Sequence, residues 1–191
     1  MRRFAALFSL AAMLLVPAAA SAQITYNLNR TIGGGSVFGT VTTDGTIGVL
    51  SATNFRSWTL TLTSPNLNAS GGTEVITGTS TSAGVLGSAL VATPTALTFD
   101  FGGFGAIFAL QGASSNAWCL SNAGLTCVGE APQSESIFFR LNGGPAETVS
   151  RSGVETLGTA AAQVPEPSTA SLLLLAVAGM GVAARRRSYA A

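Results

Sequence analysis

The chain has no histidine and no lysine, only two cysteines, and charge on just 9% of its 191 residues. Without histidine there is no Ser-His-Asp or Cys-His nucleophilic system, no imidazole acid or base, and no histidine-ligated zinc. Without lysine there is no Schiff-base chemistry and no phosphate-loop lysine. Typical soluble domains carry charge on roughly 25% of residues. The low charge here, with a mean hydropathy of +0.47, does not describe an ordinary cytosolic enzyme. No Gly-x-Ser-x-Gly elbow occurs either. What is present falls into three unlike segments.

Residues 1–22 have the plan of a secretory signal peptide. Arg2 and Arg3 supply the positive start, Ala5 to Val16 an uncharged apolar run, and Pro17 a break. Ala20-Ser21-Ala22 is a small-x-small cleavage pattern, which places the cut between Ala22 and Gln23. The apolar run is too short to span the roughly 30 Å of a bilayer core, so export and removal by the Sec translocon and signal peptidase are expected rather than anchoring.

At the other end, Pro165-Glu166-Pro167 precedes Ser168-Thr169, an uncharged stretch from Ala170 to Ala184, and Arg185-Arg186-Arg187. Ser168 or Thr169 can cap a helix beginning after the prolines. As helix, Ser168 to Ala184 reaches roughly 25 Å, and flanking arginines can snorkel to close the gap to a bilayer. The arginine triplet sets the orientation: residues 188–191 form a cytoplasmic tail and everything before Pro165 is exported.

These features together resemble the PEP-CTERM sorting signal of Gram-negative bacteria, a tail also described as an ice-binding protein C-terminal domain. That label concerns an address and implies nothing about ice. The resemblance covers residues 164–187. It implies that an exosortase in the inner membrane recognises Pro165, Glu166 and Pro167, with Arg185 to Arg187 as the stop-transfer cluster. It further implies a transient membrane anchor, then delivery to the cell surface or extracellular matrix, alongside exopolysaccharide and biofilm.

Between these addresses, residues 23–157 read as an ectodomain and 158–163 as an alanine-rich linker. Four arginines face seven acidic residues across 23–163, so the whole chain's net charge of +1 belongs to its two ends. A mildly acidic, lysine-free surface argues against a nucleic-acid partner. The patterning is β. Trp58 to Thr63 alternates apolar residues with threonine, and Leu97 to Phe101 and Ile137 to Leu141 are similar. Ser36 to Thr43 and Thr46 to Leu50 flank Asp44-Gly45, the preferred pair of a two-residue type I′ hairpin. Weaker strands are expected at Ile24 to Leu28, Glu74 to Thr79, Ser88 to Thr93, Ala106 to Gln111 and Thr148 to Thr156. Eight to ten short strands broken by Gly, Asn, Ser and Pro predict an all-β antiparallel sandwich or jelly roll.

In an oxidising compartment Cys119 and Cys127 are expected to form a disulfide across a turn containing Asn122 and Gly124. No metal or cofactor is expected, because two thiols and scattered carboxylates make no site. Gly33-Gly34-Gly35 lacks the third glycine of a dinucleotide loop and precedes a strand, so it reads as a flexible loop. Trp58 and Trp118 are the candidates for stacking on sugar rings, although alternation with threonine favours Trp58 in the core and Cys119 favours Trp118 packed at the disulfide. The leading expectation is an exported, non-enzymatic β protein. Its rivals are a glycan-binding module using Trp58 or Trp118 and a hydrolase using carboxylates alone, for example Asp100 with Glu130 or Glu135.

Overall fold

A computed structural model describes residues 22–66, 72–127, 131–139 and 144–161, all within one compact unit, Ser21–Ala162. Residues 1–21 of the expected signal peptide (1–22), Glu130, Arg140 and the tail from 162 onward lie outside the described residues. The described chain is all-β, with no α-helix and no helix long and apolar enough to cross a membrane.

Among the described residues thirteen strands form two antiparallel sheets. In the larger sheet the order is β3 (Gly48–Val49), β7 (Leu90–Ala92), β8 (Ala96–Asp100), β13 (Val154–Ala160), β1 (Ile24–Ile32), β2 (Gly35–Thr43), β4 (Phe55–Ser64) and β5 (Gly72–Gly78). In the smaller sheet it is β12 (Gly144–Ser150), β11 (Ser134–Phe139), β10 (Ala117–Ser121), β9 (Ile107–Gln111) and β6 (Ala83–Leu86).

Period-2 patterning explains the layering. In β4, Trp58, Leu60 and Leu62 are buried while Thr59, Thr61 and Thr63 look outward, since successive side chains leave a strand on opposite faces. The buried faces of both sheets contribute to one core, and the ring of Phe55 (β4) stacks on that of Phe108 (β9) at 5.4 Å. Phe108 in turn meets Trp118 edge-on at 5.5 Å. Each such ring removed from water contributes about 1.5–3 kcal/mol, so this aromatic column helps to hold the layers together. The two layers agree with the expected sandwich, with more strands than the sequence suggested.

Four local expectations are corrected. The two-residue hairpin lies at Gly33-Gly34, not Asp44-Gly45: Ile32 pairs with Gly35, and Gly33 alone of the two has a positive φ, +58°, as a type II′ turn requires. After Asp44 the chain cannot fold back on β2, because β1 and β4 already occupy both its edges. It runs instead to the far edge of the sheet, where Gly48 pairs with Ala92 and only two residues remain as strand. It then returns so that the Asp44 N–H donates to the Asn54 carbonyl. The third correction is that Thr148 to Thr156 is not one strand; Gly153, at φ +64°, turns the chain between β12 and β13. Lastly, Gly158 to Ala160, expected as linker, belong to β13, because Gly158 can lie against the Asn27 carbonyl where a side chain could not.

Candidate functional site

The two ends of the domain leave it together. β1 and β13 are antiparallel neighbours, with Tyr26 opposite Ala160 and the Ala161 N–H donating to the Thr25 carbonyl at 2.7 Å. The first and last described residues of the domain therefore lie at one pole. Ala22 and Gln23 are exposed and precede the first strand, so a cut between them leaves every ladder bond of β1 in place. Beside them an open recess of about 250 Å³ is lined by Gln23, Asp44, Thr46 and Arg56. Burial works against the charge on Asp44, but hydrogen bonds from Thr46 and Asn54 and the Arg56 guanidinium outweigh it and hold the carboxyl below its ordinary value.

The chemistry-bearing side chains of the interior were not visible as a group in the sequence. Arg30 sits on the inward face of β1, donating from Nε to Glu135 Oε1 at 3.0 Å and from Nη2 to Glu135 Oε2 at 2.6 Å. Arg151 donates to the same Oε2 at 2.9 Å, and Trp118 Nε1 donates to Oε1 at 3.0 Å. Glu155 accepts from Arg30 Nη2 at 2.6 Å. Burial disfavours the Arg30 charge, yet hydrogen bonds and charge from Glu135 and Glu155 outweigh it and raise its pKa above the ordinary value. Two arginines and two glutamates thus close a neutral cluster at the interface between the sheets.

Two further glutamates bind across the layers, with no cation among their partners in the described residues. Glu147 of β12 accepts from the Gly34 N–H, Ser64 Oγ and Asn66 Nδ2, each at 2.8 Å. The glycine run, expected as a flexible loop, is a tight turn between β1 and β2 that cradles this carboxyl group: side chains at Gly33 or Gly35 would strike Glu147, and one at Gly35 would also strike the Thr63 carbonyl. Glu74 of β5 accepts from Ser114 Oγ and Asn116 Nδ2 in the β9–β10 turn. The signal that could have exposed these residues is parity. Arg30 keeps the phase of the apolar Ile24, Tyr26, Leu28 and Ile32, and Glu135 that of Ile137 and Phe139.

The named candidates distribute as follows. Trp58 and Trp118 are 2% and 0% exposed, which removes both as ring-stacking surfaces. The Trp58 indole fills the space left by Gly78 opposite it, and Trp118 is taken by Phe108 and Glu135 rather than by a ligand. Cys119 and Cys127 form a disulfide with Cα atoms 6.3 Å apart, inside the usual range. The loop they close is also held by Asn122, whose Oδ1 accepts from the Ala106 N–H at 2.6 Å. Of the carboxylates considered for a hydrolase pair, Asp100 accepts from the Gly102 N–H, while Glu135 is wholly buried with both oxygens occupied by protein donors. Among the described residues no three His, Cys, Asp or Glu side chains gather to hold a metal.

Pro165, Glu166, Pro167 and Arg185 to Arg187 lie outside the described residues. Their identity comes from comparison: residues 163–187 match the family model of the PEP-CTERM protein-sorting motif. No curated protein and no solved structure matches the chain. At its C-terminal end the chain thus carries a PEP-CTERM protein-sorting motif, as the sequence led one to expect.

Proposed function

We propose that the protein is an exported, non-enzymatic β-domain cargo of an exosortase, held transiently in the inner membrane with its C-terminus cytoplasmic and then delivered to the cell surface or extracellular matrix. The sorting motif at residues 163–187 carries this reading. The attachment of both tails at one pole supports it, because the domain can fold completely while tethered and lose either tail without opening a sheet. The interior carboxyl groups support the non-enzymatic part, since protein donors occupy each of them. The test replaces Pro165, Glu166 and Pro167 by alanine, and separately deletes the exosortase. The expected result is full-length protein retained in the membrane fraction. Unchanged size and surface delivery would overturn the proposal.

A second reading, contact with neutral exopolysaccharide, now rests on the outward face of the larger sheet instead of the tryptophans. Asn27, Thr40, Thr59 and Thr77 lie side by side across four strands, and the parallel rank Thr31, Ser36, Thr63 and Thr73 is equally uncharged. Hydroxyl and amide groups in such an array can exchange hydrogen bonds with sugar hydroxyls. Replacing Thr40, Thr59 and Thr61 by glutamate should abolish cosedimentation with matrix polysaccharide; cosedimentation that persists, or is absent from the unaltered protein, removes this reading.

A further inference from the structure

We propose that the mature protein begins with pyroglutamate at position 23, formed from Gln23 after export. The proposal rests on the reading that signal peptidase cuts between Ala22 and Gln23. In the precursor the Gln23 nitrogen is an amide and cannot act as a nucleophile. Cleavage turns it into an α-amine four bonds from its own side-chain carboxamide carbon, so that an intramolecular attack closing a five-membered ring replaces a bimolecular one.

The step is internally balanced. The α-nitrogen forms a bond to Cδ, the Cδ–Nε2 bond breaks, and Nε2 departs as ammonia after taking up the proton lost from the amine. No oxidant, metal or co-reactant is involved. The product is a neutral five-membered lactam, so the mature chain carries no α-ammonium.

The surroundings permit this. Gln23 is exposed and lies outside the β1 ladder, whose first pair is Ile24 with Thr43. Its residue forms one wall of the open recess next to Asp44 and Arg56, with about 250 Å³ of space. The Ala22 carbonyl, which lies over Gly45 in the precursor, departs with the signal peptide and uncovers that edge. Asp44 already has Thr46, Asn54 and Arg56 as partners, so it does not depend on an α-ammonium for its own pairing. The lactam would leave the extracellular domain without a free amine for aminopeptidases to engage.

The experiment is peptide mass spectrometry of the exported protein from its native host, with a synthetic Gln-Ile-Thr-Tyr peptide added at lysis to record cyclisation during handling. The expected result is an N-terminal peptide starting at position 23 and lighter by one ammonia than its free-glutamine form, with the added peptide still largely uncyclised. Edman degradation should be blocked until pyroglutamyl aminopeptidase is applied, and a Gln23→Ala variant should be open from the start. Free Gln23 as the main form, or cyclisation no greater than in the added peptide, overturns the proposal while leaving the cleavage site standing. A terminus elsewhere overturns both.

Discussion

Arg30 and Glu135 join the two sheets by a two-pronged ion pair, Nε to Oε1 at 3.0 Å and Nη2 to Oε2 at 2.6 Å, with Glu135 wholly buried. Arg30 belongs to a central strand of the larger sheet and Glu135 to an inner strand of the smaller one. In a protein with so few charges, the placing of these two inside is the main electrostatic feature of the fold. Removing one partner from a buried pair costs about 3–5 kcal/mol when nothing else compensates the charge left behind; here Arg30 keeps Glu155, and Glu135 keeps Arg151 and Trp118, which sets the loss toward the lower end of that range. Glu135→Ala and Arg30→Ala should each lower the unfolding free energy by that order in urea titrations. The double variant Arg30→Met/Glu135→Leu should lose much less than the two single losses added together; a strictly additive result would show that the pair is not coupled.

The glycine cradle makes a steric prediction. A Cβ at position 35 meets the Thr63 carbonyl and the Glu147 side chain, and the strand cannot retreat because Gly35 is paired on both sides, with Ile32 and through Ser36 to Thr63. Gly35→Ala should destabilise by about 1–3 kcal/mol, as crowding of a packed interior does. Gly84→Ala, where the nearest atom lies 3.7 Å away, is the matched control and should change stability little. Equal losses in both would refute the cradle as the cause.

The Cys119–Cys127 bridge closes a loop of eight-residue separation. Cys119→Ser/Cys127→Ser should cost about 2–3 kcal/mol on the loop-entropy model. Hydrogen exchange should rise first at the Ala106 and Asn122 amides, since these hold the same loop. Unaltered exchange there would show that Asn122 alone fixes it.

The pH response follows from the direction of two shifts. Asp44 is held below its ordinary value in the folded chain, so its contribution is present above the unfolded carboxyl value and is lost as pH falls through the folded one. Burial raises Tyr26 above its ordinary value against the opposing hydrogen bond with Thr43. Its neutral form is therefore the stabilised one, and its contribution is lost as pH rises past about 10. With no histidine in the chain, stability should be nearly flat from about pH 5 to 9. Asp44→Asn should flatten the acid limb and Tyr26→Phe the alkaline limb of an unfolding-midpoint profile. A marked transition near pH 6.5 would contradict this account.

Both tryptophans are enclosed, so emission should be blue-shifted and acrylamide quenching weak in the folded state. Saccharides should leave the spectrum unchanged, even if the threonine face binds them. Trp118→Phe keeps a ring against Phe108 but leaves Glu135 one donor short, at a cost of about 1.5–3 kcal/mol for a bond to a charged group.

The alternation of apolar and threonine residues in β4 and β8 was enough to place those strands, because a half-buried strand has no other way to satisfy both faces. The same local reasoning chose Asp44-Gly45 as the hairpin and passed over Gly33-Gly34. Turn chemistry alone cannot tell whether the adjacent strand edge is already taken, and here β1 and β4 had taken both edges of β2. Parity with Ile137 and Phe139 marked Glu135 as inward-facing, but no local pattern named the partners, from other strands, that Glu135, Glu147 and Glu74 find there.

By itself, then, the sequence determined the β class, the pairing of two cysteines in a short loop, and the sorting motif at residues 163–187. Each depends on neighbours within a few residues: an apolar run, a capped proline turn, a basic cluster, a period of two. The tertiary structure alone decided which residues share an interior. Arg30 and Glu135 are 105 positions apart, and only the packing of one sheet on the other removes both from water and makes each the other's necessary partner.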